Sequence, residues 1–328
     1  MNLQPTTYDI YSPAKVNLRL KVNGLRENGY HLLSMLNVTA SLKDYFKIKI
    51  TNDNEFKVSK LVFGPLIIED QKQPLNEVLL NPEKNLALRA GKLFFSKFAI
   101  EGGIDFELCK NIPSGAGLGG GSSNAGSLLK FLRQHFKRDL NQFSNSEKII
   151  NEIACSLGAD VPFSYQGGAA IVNGIGEVVI PLSSQIQSAI NGWQCMILTS
   201  GTHVSTVDVF AFVREKLKVS KFTFNEDTEL AAFRESSFSS DFEIRQSILS
   251  LIENDLESAA VKLCPEIGKI LCELPQIQGI KHFMTGSGSS VVVLSDSSGI
   301  FSAEHRQALK SVISALKINH FDGCFQLY

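Results

Sequence analysis

The chain has 328 residues, 44% hydrophobic and 20% charged, with 32 basic against 33 acidic side chains for a net charge of −1. That composition excludes a disordered chain and supplies core enough for two domains or one large one. The near balance of charge excludes wholesale attraction to nucleic acid or an anionic membrane.

The six cysteines (Cys109, Cys155, Cys195, Cys264, Cys272 and Cys324) form no CxxC pair, and the six histidines show no HExxH or other paired metal spacing. The opening "MNLQPTTYDIY" has no basic region followed by an apolar run, so no signal peptide is expected. Apolar stretches such as "LVFGPLIIED" are broken by Gly, Pro or charge and are too short for a bilayer. The expectation is a cytoplasmic protein with reduced thiols.

In chain order, "YDIYSPAKVNLRLKVNGL" alternates and predicts strand, turn at Ser12-Pro13, strand. "LNVTASL" and "DYFKIKIT" predict two further strands, and residues 52–84 an irregular surface excursion. "NLALRAGKLFFSKF" has helical spacing, and "GIDFELCKNI" alternates as a strand into a glycine run. A helix follows from Ser122-Ser123, and another from the capping-box pattern Ser144-Asn145-Ser146-Glu147 to about Gly158. "AAIVNG" and "GEVVIPL" predict a hairpin. Beyond residue 190 come a strand "WQCMILTS", a helix from Ser205 and a polar stretch "NEDTELAAFRESSFSSDFE". Two helical pieces around Pro265, strands "IKHFMTG" and "SSVVVLSD", and the helix "SAEHRQALKSVISALK" complete the pattern. No repeats occur. Helices intermixed with hairpin strands favour α+β over a doubly wound sheet.

The run "NIPSGAGLGGGSSNAG" (residues 111–126) sits between a strand and a helix, which argues against a linker. Gly115-x-Gly117-x-x-Gly120 satisfies GxGxxG, but the strand before it alternates rather than being wholly apolar. No acidic strand end follows about twenty residues on, so a dinucleotide fold is disfavoured. No Gly-Lys-Ser/Thr follows either, so it is not the ordinary P-loop. What remains is a glycine turn at a helix N-terminus, where unpaired N–H groups and the helix dipole cradle phosphate, with hydroxyls for phosphate or its Mg²⁺.

Three stretches, "SPAKVNLRLKV", "PSGAGLGGGSSNAGSLL" and "MTGSGSSVVVL", together resemble the three motifs of the GHMP kinases. "RENGYHLL" and "LGADVPFSYQGGAAIVNGIGE" narrow the resemblance to the branch acting on a cytidyl diphosphate sugar alcohol. The resemblance implies a two-domain α+β fold: residues 1–185 carrying the ATP phosphate loop, and a ferredoxin-like domain over 186–328. Residues 52–84 and 219–247 are extra length, and "RENGYH" and "GSGSS" vary the family pattern.

The resemblance also implies roles. Lys15, which as a lone strand lysine would ordinarily be solvated, and Asp160, otherwise a turn aspartate, become the catalytic pair. ATP falls to Pro113, Ser114, Gly115, Ala116, Gly117, Leu118, Gly119, Gly120, Gly121, Ser122 and Ser123, with Lys110, Asn85 and Leu86 near the base. Asn17, on the strand face of Lys15, holds substrate hydroxyls. Tyr30, His31, Thr206 and Phe210 read cytosine, although core packing explains Phe210 nearly as well. "GSGSS" packs behind the phosphate loop. ATP and Mg²⁺ are the implied cofactors, with no protein-only metal site. The implied partner is a small molecule rather than nucleic acid or membrane, for a monomer or homodimer. Rival readings are a mevalonate- or homoserine-type kinase and a GHMP-fold nucleotide-binding regulator without turnover.

Overall fold

The computed structural model describes residues 7–217, 227–295 and 300–325, so part of the expected extra segment, 219–226, lies outside the described residues. The described chain forms two interleaved compact units. One holds residues up to Ala14, Leu42–Ser114 and Gly119–Gln166; the other holds Lys15–Ser41, Gly115–Leu118 and the described residues from Gly167 onward.

Two long strands, β1 (Thr7–Leu25) and β2 (His31–Thr51), are each divided between the units. The first unit adds β3 (Phe56–Phe63), α1 (Glu69–Leu79), α2 (Leu86–Lys97), β4 (Gly103–Lys110), α3 (Gly120–His135), α4 (Lys137–Leu140), α5 (Ser146–Leu157) and α6 (Val161–Gln166). Here β4 pairs antiparallel with the second half of β2, Tyr45 opposite Cys109, and parallel with β3. Alternation puts Phe46, Ile48, Ile104 and Phe106 on the covered face, against Leu88 and Phe94 of α2, Leu129 of α3 and Ile150 of α5. Each such buried side chain contributes about 1.5–3 kcal/mol.

Four expectations are corrected in this unit. No turn interrupts β1 at Ser12-Pro13, because the proline φ suits extended backbone and the chain is held there by α3. The Ser12 hydroxyl lies 2.8 Å from Ser123 Oγ, which in turn donates to the Pro13 carbonyl. Similarly, the two strands expected over 36–51 are one, β2. Residues 52–84 are not irregular but fold into β3 and α1. Phe56, Val58, Leu61 and Phe63 pack on the core, and α1 buries Leu75 and Leu79 despite Pro74. The capping box at α5 does not form, since the Glu147 carboxylate is taken by Arg133 and by the Tyr165 hydroxyl.

The second unit continues with β5 (Ala169–Gly174), β6 (Val178–Pro181), α7 (Ser184–Ile190), β7 (Gln194–Thr199), α8 (Thr206–Leu217), α9 (Thr228–Glu235), α10 (Asp241–Leu251) and β8 (Glu253–Asn254). It ends with α11 (Glu257–Leu263), α12 (Pro265–Glu273), β9 (Ile280–Met284), β10 (Val291–Ser295), α13 (Ala303–Leu316) and β11 (Asn319–Cys324). The hairpin β5–β6 forms as expected and pairs antiparallel with β2, Asn37 opposite Ala170. A separate sheet has the order β11-β7-β10-β9. Its edge strand β11 was not expected, because the polar "NHFDGC" carries little strand signal apart from its partner β7.

The stretch expected to be merely polar forms α9 and α10, and it is pinned by charge. Arg19 of β1, 1% exposed, meets Asp227 at 2.6 Å and donates to the Leu251 carbonyl. Burial pushes the Asp227 carboxyl up, but the Arg19 hydrogen bond and charge, the Leu230 N–H and the Lys21 charge together outweigh it and hold the group below its ordinary range.

Candidate functional site

The glycine run begins at a charged root in the first unit. β4 ends on Lys110, whose ammonium sits 2.5 Å from Asp44 and donates to the Ile112 carbonyl at 2.8 Å. The other Asp44 oxygen accepts the N–H groups of Asn111 (2.7 Å) and Ile112 (2.8 Å). The pair is buried, so it holds the loop's start where water does not compete. Pro113 is buried next to it, and Ser114 is exposed.

Gly119 then takes φ +65° and becomes the N-cap of α3, so the helix starts two residues before the expected Ser122. The Ser123 N–H donates to the Gly119 carbonyl at 2.8 Å. The preceding N–H groups, of Gly120, Gly121 and Ser122, are those no helical carbonyl can take. Ser122 is half-buried, whereas Ser123 is buried with its hydroxyl turned to Pro13. Leu86 lies beside Gly121, 3.6 Å from where a Cβ would stand. Asn85 caps α2, accepting from the Ala87 and Leu88 N–H groups and donating to the Leu79 carbonyl at 2.7 Å.

Asp160 is half-buried at the start of α6, where its carbonyl accepts from the Ser164 N–H and hydroxyl. α6 lies tightly on α3: a Cβ on Gly126 would stand 2.5 Å from the Ser164 backbone. That close approach places the aspartate alongside the loop-bearing helix of the same unit.

In the second unit, Gly115, Ala116, Gly117 and Leu118 run against the third motif, as expected. A Cβ on Gly117 (φ +75°) would meet the Thr285 carbonyl at 2.2 Å, and Ser290 N–H donates to the Ala116 carbonyl. The Lys15 N–H donates to the Leu118 carbonyl at 3.0 Å. Lys15 is 5% exposed, not a solvated strand lysine, and its ammonium donates to Asn17 Oδ1. Asn17 is tied in turn by its N–H to Thr285 Oγ1 (2.8 Å) and by its Nδ2 to Asn37 Oδ1 (2.6 Å).

Further along the same unit, His31 and Phe210 are brought together, ring centroids 4.8 Å apart and tilted by 32°. His31 is buried, and its Nε2 has no partner among the described residues. Burial, with Arg214 adding repulsion, lowers its pKa below the ordinary histidine value, so the ring is neutral at pH 7. Arg214 of α8 also donates to the Gly29 carbonyl at 2.6 Å, which anchors the turn leading to Tyr30. Tyr30 itself stands 60% exposed. Thr206 shares a 2.8 Å hydrogen bond with Ser287 of the third motif, one helical turn from Phe210.

Asp44, Asn37 and Arg214 act on these residues and escaped the sequence reading. Each works on a partner far along the chain, so no local spacing announces it. Among the described residues no group of three or more His, Cys, Asp or Glu could hold a metal ion.

Residues 85–168 match the GHMP kinases N terminal domain. A 4-diphosphocytidyl-2-C-methyl-D-erythritol kinase of Clostridium botulinum is 33% identical over 285 residues, covering 86% of this chain and 89% of that protein. One from Persephonella marina is 34% identical over 280 residues, covering 85% and 88%. A crystal structure of 4-(cytidine 5'-diphospho)-2C-methyl-D-erythritol kinase aligns with a TM-score of 0.65 at 28% identity, covering 97% of this chain and 99% of that one.

Proposed function

We propose a reaction from this premise: the chain belongs to the 4-diphosphocytidyl-2-C-methyl-D-erythritol kinase family, and its fold is the α+β GHMP kinase fold. It transfers the γ-phosphoryl group of ATP to the 2-hydroxyl of 4-diphosphocytidyl-2-C-methyl-D-erythritol, in non-mevalonate isoprenoid precursor synthesis. The observation that carries the phosphoryl chemistry is the loop, where the N–H groups of 120–122 open onto the positive end of α3 above a buried Lys110–Asp44 anchor.

Catalysis here is positioning plus charge stabilisation. Lys15 offsets the charge of the transferring phosphoryl group, and Asp160 orients the acceptor hydroxyl and takes its proton. Residues 113–123 cradle the phosphates. Leu86 lines the base side, with Asn85 and Lys110 supporting it through the backbone they hold, because both side chains are committed internally. Mg²⁺ neutralises phosphate charge when bound, and Ser122 with nucleotide oxygens and water would hold it, Ser123 being spent on Pro13. Asn17 holds sugar-alcohol hydroxyls, Tyr30 and Phe210 stack on cytosine, His31 reads its edge, and Thr206 steadies that wall. The segments 1–185 and 186–328 are the proposed domains along the sequence, whereas each compact unit draws on several separate stretches of chain. A cytoplasmic monomer or homodimer, acting on a small molecule and binding neither nucleic acid nor membrane, completes the reading. No described helix is long and apolar enough to cross a membrane.

ATP consumption measured with the cytidyl substrate, mevalonate and homoserine tests the reading. Turnover is expected with the cytidyl acceptor and to fall about 10²–10⁴-fold in Asp160→Ala, with ATP binding retained. Turnover with either of the other acceptors, or with none, overturns it.

A further inference from the structure

Behind Lys15 lies a directed chain of hydrogen bonds within the second unit. An ammonium only donates, so Asn17 must present its oxygen to Lys15. That orientation turns the Asn17 NH₂ toward Asn37, which must then present its own oxygen, at 2.6 Å. Asn37 is fully buried on β2, and its Nδ2 finds no acceptor among the described residues. A buried amide left with an unmet donor costs stability, and an apolar residue of the same size would avoid that cost. Packing therefore does not explain an asparagine at this position. Its oxygen does, because it is the group that stops the Asn17 amide from rotating.

We propose that Asn37 is a positioning residue for phosphoryl transfer, holding the Asn17 amide so that its oxygen aims the Lys15 ammonium at the reacting oxygens. This rests on the reading of Lys15 given above. Thr285, which holds only the Asn17 backbone, leaves the amide torsion open, so the oxygen of Asn37 is what selects its orientation. Met35 Sδ, 3.4 Å from Asn17 Nδ2, is a weak acceptor and a poor substitute.

The test compares Asn37→Leu, which removes the acceptor while keeping the branched shape, with Asn37→Asp, which keeps an acceptor and drops the unmet donor. Lys15→Met is assayed alongside, and thermal midpoints are taken for all. Asn37→Leu is expected to lower the midpoint, because the buried Asn17 Nδ2 keeps only Met35 Sδ. It is also expected to lower kcat about 10- to 100-fold even at temperatures where it is fully folded, and to leave KM for ATP and acceptor within about threefold. Asn37→Asp is expected to hold kcat within about threefold of wild type. If the leucine variant does not fold, Asn37→Ala removes the same oxygen; if the aspartate charge prevents folding, Asn37→Ser supplies an acceptor instead.

Wild-type kcat in a folded Asn37→Leu overturns the inference. So does an equal loss in the leucine and aspartate variants, or a loss that follows the midpoint and disappears on cooling, which is the signature of a merely structural role. Turnover retained by Lys15→Met overturns the reading of Lys15 and this inference with it. An inactive Lys15→Met beside a normal Asn37→Leu overturns the inference alone.

Discussion

In the phosphate site proposed at the glycine loop, the groups that would meet a ligand are backbone N–H donors, and side chains serve to shape that backbone. Asp44 and Lys110 hold the loop's start, and Gly119 turns it into α3. Around Tyr30, His31 and Phe210 the arrangement is reversed. There the groups proposed to meet the substrate are rings, and the backbone is held by others, as when Arg214 clasps the Gly29 carbonyl. A backbone site is lost when a Cβ intrudes, and it tolerates most other changes. A ring site is lost by truncating a ring, while its backbone can be held in several ways.

The largest expected effect breaks the backbone side of that contrast. Gly119→Val asks a β-branched residue to adopt φ +65°, so ATP binding, followed by titration calorimetry, is expected to vanish while far-UV circular dichroism persists. Normal ATP affinity in a folded variant would return the run to a linker.

Next comes the anchor. Asp44→Ala leaves the Lys110 ammonium buried without its partner, which should lower unfolding stability by about 3–5 kcal/mol. KM for ATP should rise in the protein that remains folded, and KM for the acceptor should not. Denaturant titration and steady-state kinetics check the two halves. Equal effects on both substrates would mean that the anchor does not act through the loop.

On the ring side, Phe210→Ala should raise KM for the cytidyl substrate roughly five- to more than a hundred-fold, the range for about 1–3 kcal/mol of stacking. KM for ATP should stay put. Unfolding instead of weaker binding would assign Phe210 to the core. Tyr30→Ala should act in the same direction with little change in stability, since the ring is mostly exposed.

The smallest effect concerns His31. Its folded pKa lies below the ordinary value, so only well above pH 6.5 is the ring neutral both folded and unfolded and without effect on the pH dependence. As pH falls through 6.5 the unfolded chain takes up the proton first, and stability drops by at most about 1.4 kcal/mol per pH unit from this group. Urea midpoints between pH 7 and 5 should therefore fall less steeply for His31→Gln than for wild type. Parallel slopes would show that burial of His31 does not govern its titration.

Local pattern by itself determined a good part of this protein. The strand–glycine–helix order around residues 111–126, the helix capped by Asn85 and the β5–β6 hairpin were all legible, because propensity, capping and turn chemistry act between near neighbours. Where local signals misled, a distant partner had outbid them: Ser12-Pro13 stays extended because Ser123 binds it, and Glu147 leaves its cap for Arg133 and Tyr165. Lys15, Asn17, His31 and Phe210 could be named from motifs, yet nothing in their own segments shows how they are held. Only the tertiary structure put Asp44 under the loop, Asn37 behind Asn17, and Thr285 on a backbone N–H 268 residues away. The reason is physical: a buried polar group must find its partner wherever the fold brings one, and the separation along the chain leaves no periodicity to read.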